Sequence, residues 1–238
     1  MPKYTIERAL IMAAGFGQRL QPVTLTTPKP LIKVNNIRII DTQIEALHKN
    51  GIYEIYVIVG YLKEQFYSWA KQYDGVTLIE NPWYDTCNNI SSLYAAREYL
   101  ENAIIMDGDQ LVYNPSILCP YFSYSGYSCM WTNLPTTEWL LTVNNGTVIS
   151  CSRNGGTRGW QLFSVSRWTS EDGKRLKQHL EYEFGECQNR NIFWDDVVLS
   201  CHLKDYQLGV YPIHMGDIVE IDSFIELCHI DPTYINGE

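Results

Sequence analysis

The chain has 238 residues, 45% of them hydrophobic, with a formal net charge of −9 and seven cysteines. That length and apolar content suffice for one sizeable core, while the acidity and the absence of a basic block exclude a nucleic-acid groove, and no 18-residue apolar stretch is present to cross a bilayer. The cysteines are odd in number, widely spaced and without a CxxC pair, and Met1 to Arg8 lacks the h-region and cleavage site of a signal peptide, so the chain reads as a cytoplasmic protein with reduced thiols and no zinc.

The first element is the unbroken apolar run Ala9 to Ala14, the pattern of a strand buried on both faces. It ends at Gly15 and Gly17, whose backbones reach conformations that other residues resist. Amide groups in such a turn form an anion-binding concavity, to which Arg19 adds a planar donor fork and Lys29 a mobile point charge. Pro22, Pro28 and Pro30 stiffen the segment between the two cations. Leu20 stands where a dinucleotide fingerprint needs its third glycine, and no Gly-Lys-Ser/Thr follows, so neither a Rossmann loop nor a P-loop is present.

Strands and helices then alternate. Ile39 to Asn50 carries a helical stripe (Ile40, Ile44, Leu47) stopped by Gly51. Ile55 to Val59 reads as a strand, Tyr61 to Tyr73 as a helix, Val76 to Ile79 as a strand, Ile90 to Leu100 as a helix and Ala103 to Met106 as a strand. This rhythm predicts an α/β fold, a Rossmann-like, mostly parallel sheet flanked by helices. From about Tyr121 the turn signals Asn144-Asn145-Gly146 and Asn154-Gly155-Gly156 predict hairpins and an antiparallel, lid-bearing acceptor half. Helical patterns return at Thr169 to Phe184 and Asp195 to Lys204. The expected organisation is one domain over 1–238, with a nucleotide-binding half at about 1–120 and an acceptor-binding half at about 121–238. Asp231 to Glu238 is polar and turn-like, which leaves room for a fused or partner domain of the same pathway.

Chemistry gathers where strands end. Asp107-Gly108-Asp109 follows the Ala103 strand, so its carboxylates point into the crevice that holds the glycine loop. Mg²⁺ takes a few hard oxygen ligands together with substrate phosphates, which convergent carboxylates provide. Standing alone, the same residues would be a solvated Asp-Gly turn. Near the C-terminus, alternation puts Glu220 and Asp222 on one face of an extended segment, although Asp222-Ser223 would equally cap a helix Phe224 to Cys228. The second half is rich in aromatics (Trp131, Trp139, Trp160, Trp168, Phe193, Trp194), each by itself more often core than cage. Glu138-Trp139 and Phe193-Trp194-Asp195-Asp196 join aromatic faces to acids, a pairing suited to an organic cation. The five histidines show no metal spacing and read as structural or surface residues.

The pattern GxGxRLxPxTxxxPK, from Gly15 to Lys29, resembles the signature of the sugar-phosphate and phosphoalcohol nucleotidyltransferases, with Gln18 where Thr or Ser is common. The resemblance implies that the segment Ala13, Ala14, Gly15, Phe16, Gly17, Gln18 and Arg19 wraps a nucleoside triphosphate, that Arg19 contacts phosphates and that Lys29 stabilises the reacting centre. It also implies Asp109 and Asp222 as primary Mg²⁺ ligands, with Glu220 beside them.

A narrower resemblance covers nearly the whole chain. Val59-Gly60-Tyr61-Leu62-Lys63-Glu64-Gln65-Phe66, Tyr84 with Asn88-Asn89 and Ser92-Leu93-Tyr94, Glu138-Trp139, Trp194-Asp195 and Glu220-Ile221-Asp222-Ser223 look like bacterial CTP:phosphocholine cytidylyltransferases. That implies CTP as donor, with Asn88, Asn89, Ser92 and Asp107 on the nucleotide, and Glu138, Trp139, Phe193, Trp194 and Asp195 around the acceptor. Phe193 stands where the family often has Tyr, and Asp196 where it often has Asn. A lost hydroxyl and a gained acid leave phosphocholine and 2-aminoethylphosphonate both open as acceptors, since a primary ammonium calls for carboxylate hydrogen bonds. Two other readings remain, a sugar-1-phosphate nucleotidyltransferase using another triphosphate and an inactive nucleotide-binding homologue. The first would want hydroxyl-reading polar groups where Trp and Asp stand, and the second would lack the metal acids.

Overall fold

Ala9, Leu10 and Ile11 have no solvent exposure because the strand Arg8–Ala13 runs through the middle of a nine-stranded sheet. In this computed structural model, which describes residues 2–235, that strand pairs in parallel with Glu54–Val59 on one side and Ala103–Asp107 on the other. Val76–Glu80 extends the parallel part beyond Glu54–Val59. Met1 and the last three residues of the polar end Asp231 to Glu238 lie outside the described residues.

The period-2 pleat divides the first strand between two cores. Ala9, Ile11 and Ala13 pack with Ile40, Ile44 and Leu47 of the helix Ile39–Lys49. Leu10 and Met12 face the other way, toward Ile90, Leu93, Leu176 and Leu180. A strand covered on both faces must be apolar at every position, which is why the run from Ala9 is unbroken. Each such Leu or Ile contributes about 2 kcal/mol through burial, and Ile11→Asp would place a charge in the middle of one core.

The sheet changes character at Ala103–Asp107, whose far edge pairs antiparallel with Gly159–Trp168. That long strand carries Gly126–Thr132 and Leu140–Asn144, both antiparallel. Gly209–Pro212 then runs parallel to Gly126–Thr132. The expected mostly parallel sheet with an antiparallel second portion is therefore present. Asn144-Asn145-Gly146 does join a hairpin, between Leu140–Asn144 and Thr147–Ser152. Asn154-Gly155-Gly156 does not. Its flanking strands both pair with Leu140–Asn144, from opposite edges, and Gly156 instead bridges Thr136.

Several helices are shorter or differently wound than their patterns predict. The second runs only Glu64–Ala70, because Leu62 adopts a left-handed φ of 49° that a helix cannot contain. The third is α-helical over Ile90–Ala95 and tightens to a 3-10 turn at Arg97–Tyr99. Thr169 caps the helix Ser170–Leu180 by accepting from the Asp172 amide, and the chain continues as a π-helical Glu181–Glu186. The stretch after Asp195 is likewise a π-helical Val197–Cys201 and a 3-10 turn Leu203–Asp205.

Candidate active site

The glycine loop is built from its own residues outward. Gly17 has φ 61°, and a Cβ there would stand 2.9 Å from Thr24 Cγ2, so both backbone and space demand glycine. The Thr24 hydroxyl donates to the Gly17 carbonyl (2.9 Å), and the Tyr61 hydroxyl donates to the Thr24 carbonyl (2.9 Å), tying the loop to the segment that follows the strand Glu54–Val59. Gly15 differs: a Cβ added there would meet no atom within 4 Å. Protein packing does not require glycine at that position, which leaves close approach of a ligand as its use. Phe16 stacks against Tyr61 and Tyr84 (5.0 and 5.5 Å between ring centroids), closing the outer side of the loop.

The acids are positioned by two short strands. Gln110–Val112, just after the Asp107–Asp109 turn, pairs antiparallel with Ile218–Glu220, placing Glu220 opposite Gln110. The Ile221 amide donates to the Asp109 carbonyl (3.2 Å), so Asp222 arrives beside Asp109 from a part of the chain more than a hundred residues away. Gln43, from the helix Ile39–Lys49, donates its amide to the carbonyls of Asp107 and Gln110 (both 2.8 Å) and holds the turn from behind. Ser223, not Asp222, caps the helix Phe224–Ile230, in a capping box with Glu226. Asp222 is left free to face the cleft.

Asp109, Glu220 and Asp222 bring one carboxylate oxygen each to within 4.8 Å of one another. A set of hard oxygens in a cleft that also admits phosphates fits Mg²⁺. The cations lie on the same acids. Lys29 Nζ is 2.7 Å from Asp109 Oδ2 and 3.2 Å from Asp222 Oδ1, and Arg19 Nη2 is 2.8 Å from the same Asp222 oxygen. Burial would pull the Lys29 ammonium down, but the charges of Asp109 and Asp222 more than offset it and hold its pKa above the ordinary value. Burial, followed by the charge of Asp109, pushes Asp107 up to about 7, with Ser164 and Lys29 acting the other way. Glu220 is pushed well up by burial and then by Asp109 and Asp222.

Two recesses meet at these acids. One, of about 610 Å³, is lined by Ala13, Gly15, Phe16, Gly17, Gln18 and Lys29, with Asn88 on its wall. The other, of about 410 Å³, is lined by Asn89, Ser92, Asp107, Glu138, Trp139 and Asp195, with Ala14 and Glu220 at its edge. Arg19, Asp109, Phe193 and Asp222 border both. A molecule in each would touch at the carboxylates.

Trp139 and Phe193 meet edge to face at 5.8 Å in the second recess. Trp194 does not join them: it is fully buried, beside Tyr127 and Trp168, and lines neither recess. Phe193 is the extended residue just before the short helix Trp194–Asp196; it and Asp195 line the recess, while Trp194 lies in the core and its backbone amide donates to Asn89 Oδ1 (2.9 Å). Trp131 and Trp160 pair with each other at 5.3 Å on adjacent strands, and Trp168 is core, so of the six aromatics only Trp139 and Phe193 line the recess.

Asp195 is 5% exposed, and its carboxyl faces the buried hydroxyl of Tyr127, which opposes the rise in the Asp195 pKa. Burial first, and the charge of Asp107 second, push its carboxyl well above the usual range. Sequence reasoning did not single out Arg153. Its guanidinium lies over Trp139 (5.1 Å) and Phe193 (5.8 Å) and reaches Asp196 Oδ1 at 3.2 Å. An exposed Arg in the turn that follows the strand Thr147–Ser152 carries no signal until the fold brings it over an aromatic pair.

A family model described as nucleotidyl transferase matches residues 8–105. Among known proteins, the chain is 38% identical over 229 residues to 2-aminoethylphosphonate cytidylyltransferase of Lancefieldella rimae, covering 95% of this chain and 93% of that one. It is 33% identical over 221 residues to choline-phosphate cytidylyltransferase of Streptococcus pneumoniae, covering 91% and 93%. Among solved structures, CTP:phosphocholine cytidylyltransferase from Streptococcus pneumoniae superposes with a TM-score of 0.86 at 31% identity, over 95% of this chain and 98% of that one.

Proposed function

The chain belongs to the nucleotidyl transferase family, and from that premise we propose that it is a cytidylyltransferase that moves CMP from CTP to a small phospho- or phosphono-compound carrying a primary amine, releasing pyrophosphate. The acceptor that fits best is 2-aminoethylphosphonate. The observation that carries this choice is the Asp195 carboxyl, which lines the second recess with Glu138, beside an aromatic pair over which Arg153 already lies. A trimethylammonium group offers no N–H and depends on open aromatic faces. A primary ammonium offers three donors, and acidic groups lining a recess are the acceptors that suit them.

The residues divide the work by position. The triphosphate lies along the loop from Ala13 to Gln18, with its base toward Asn88, while Asn89, Ser92 and Asp107 line the recess that takes the acceptor. The acceptor amine lies against Asp195 and Glu138, and its phosphonate points toward Asp109 and Asp222. An acceptor oxygen attacks the α-phosphorus in line. One P–O bond forms, the bond to the oxygen bridging the β-phosphorus breaks, and its electron pair leaves with pyrophosphate, so no covalent enzyme intermediate and no general base are needed. Arg19 and Lys29 take up charge on the phosphates, and the two recesses hold the reactants in contact. Asp109, Glu220 and Asp222 would hold a Mg²⁺ ion, which supplies charge neutralisation between donor and acceptor oxygens. The seven cysteines, unpaired among the described residues, and the lack there of any helix long and apolar enough to cross a membrane fit work on free metabolites in the cytoplasm, by a single domain.

Pyrophosphate release with Mg²⁺ and each triphosphate, offering 2-aminoethylphosphonate, phosphocholine and glucose-1-phosphate in parallel, tests the reading. Turnover with CTP and 2-aminoethylphosphonate should exceed the other combinations by at least about tenfold, the factor that 1.4 kcal/mol represents. Preference for glucose-1-phosphate would overturn it.

A further inference from the structure

The helix Ser170–Leu180 and the segment after Asp195 both run into π-helical turns, Glu181–Glu186 and Val197–Cys201. Such widened turns are rare and frequently mark functional places. Here they bring together His179, Glu183, His202 and Asp205, none of which takes part in the reaction above. His202 Nε2 is 2.8 Å from Oε1 of Glu183, whose side chain is 7% exposed. The carboxylate is the acceptor there, so in its neutral form His202 keeps a lone pair on Nδ1. Tyr206 holds the outer nitrogen of the other ring, with 2.8 Å between its hydroxyl and His179 Nδ1. Asp205 Oδ2 is 3.6 Å from both inner nitrogens, His179 Nε2 and His202 Nδ1, too far to be hydrogen-bonded to either. The three inner atoms lie within 4.8 Å of one another.

We infer that His179 Nε2, His202 Nδ1 and Asp205 Oδ2 form a second metal site, for a divalent transition ion of the zinc type, separate from the oxygen site of the cleft. Two imidazoles and one carboxylate favour Zn²⁺, Ni²⁺ or Co²⁺ and disfavour Mg²⁺. The outer partners resemble those of metal-bound histidines: the Glu183 carboxylate accepts from one ring, and the Tyr206 hydroxyl meets the other, leaving His179 Nε2 free for a metal in the tautomer in which Nδ1 donates to it. The rings are stacked at 3.8 Å and parallel to within 10°. Because imidazole lone pairs lie in the ring planes, coordination by both requires the rings to turn out of that stack. A bound ion ties the turn Leu203–Asp205 to the helix Ser170–Leu180, and Val197–Cys201 connects that turn directly to Asp195. The site is structural, a staple behind the acceptor segment.

Zinc titration calorimetry on EDTA-treated full-length protein in excess Mg²⁺, with cobalt absorption spectra as a second readout, tests the site. Wild type should bind one equivalent that His179→Gln and Asp205→Asn do not, with a cobalt d–d band lost in the same variants. Glu183→Gln should weaken binding by about 10- to 100-fold. His179→Gln leaves the Glu183–His202 contact intact and Asp205 is half exposed, so both variants keep the fold. If wild type, His179→Gln and Asp205→Asn titrate alike, whether through the exposed thiols of Cys187 and Cys201 or not at all, the site does not exist.

Discussion

Lys29 Nζ stands 2.7 Å from Asp109 Oδ2, with Asp222 completing the contact at 3.2 Å, so a lysine ammonium occupies the space between the acids assigned to the metal. Cation and metal compete for the same oxygens. A triphosphate offers Lys29 and Arg19 other partners and frees the carboxylates, so nucleotide and divalent ion should bind synergistically. Lys29→Met should tighten binding of Mn²⁺ in the absence of nucleotide, by about tenfold or more if one close charge is removed from a partly buried site. The same change should lower kcat by about 100-fold or more, as loss of other preorganised charge stabilisers does. Electron paramagnetic resonance of free Mn²⁺ reads the first effect, and equal affinity in both proteins would dissolve the competition.

The two loop glycines should separate cleanly. Gly17→Ala forces a Cβ into a left-handed backbone and against Thr24, and should cost at least about 1 kcal/mol of stability. Gly15→Ala meets nothing in the protein, so its unfolding free energy from urea titration should stay within about 0.5 kcal/mol of wild type while CTP affinity falls. A stable Gly15→Ala that binds CTP normally would show that nothing approaches that backbone.

Burial first, and the charge of Asp107 second, push the Asp195 carboxyl above the usual range in the folded chain. A carboxyl whose folded pKa is raised contributes its stability in full below its unfolded pKa of about 3.9 and loses it progressively as pH rises toward the folded value. Asp195→Asn, which does not titrate, should therefore gain thermal stability relative to wild type as pH rises from 4 upward. Added 2-aminoethylphosphonate should narrow that gap, because its ammonium stabilises the charged carboxylate. The same variant should lose about 100-fold or more in kcat/KM for this acceptor, the scale of removing one partner of a buried charge pair, with little change in the KM for CTP. A pH-independent difference in melting temperature would remove the argument from burial.

Arg153 should set the balance between amine classes. Arg153→Gln uncovers Trp139 and Phe193 and should shift the ratio of kcat/KM values toward phosphocholine by up to about tenfold, the range of a partly desolvated cation–π contact. Competition between the two acceptors in one reaction reads that ratio directly, and an unchanged ratio would leave the aromatic faces without a role in choosing.

The helix and strand patterns, the glycine loop and the Asp107-Gly108-Asp109 turn were legible in the sequence because each depends on local rules: period, backbone permission, and a strand end that opens into a crevice. Even the shared face of Glu220 and Asp222 follows from strand alternation. What only the tertiary structure decided was every relation between distant residues. Whether Trp194 faces the acceptor or the core turns on one helical step. Arg153 joins the aromatic pair because the turn after the strand Thr147–Ser152 brings it there, and the contact of Lys29 with Asp109 and Asp222 exists because two three-residue strands, Gln110–Val112 and Ile218–Glu220, find each other. His179 and His202 converge through widened helical turns that leave no period to read. Local propensity specifies elements, but which side chains meet depends on long-range pairing that minimises exposed apolar surface and unsatisfied polar groups, and no single segment encodes that sum.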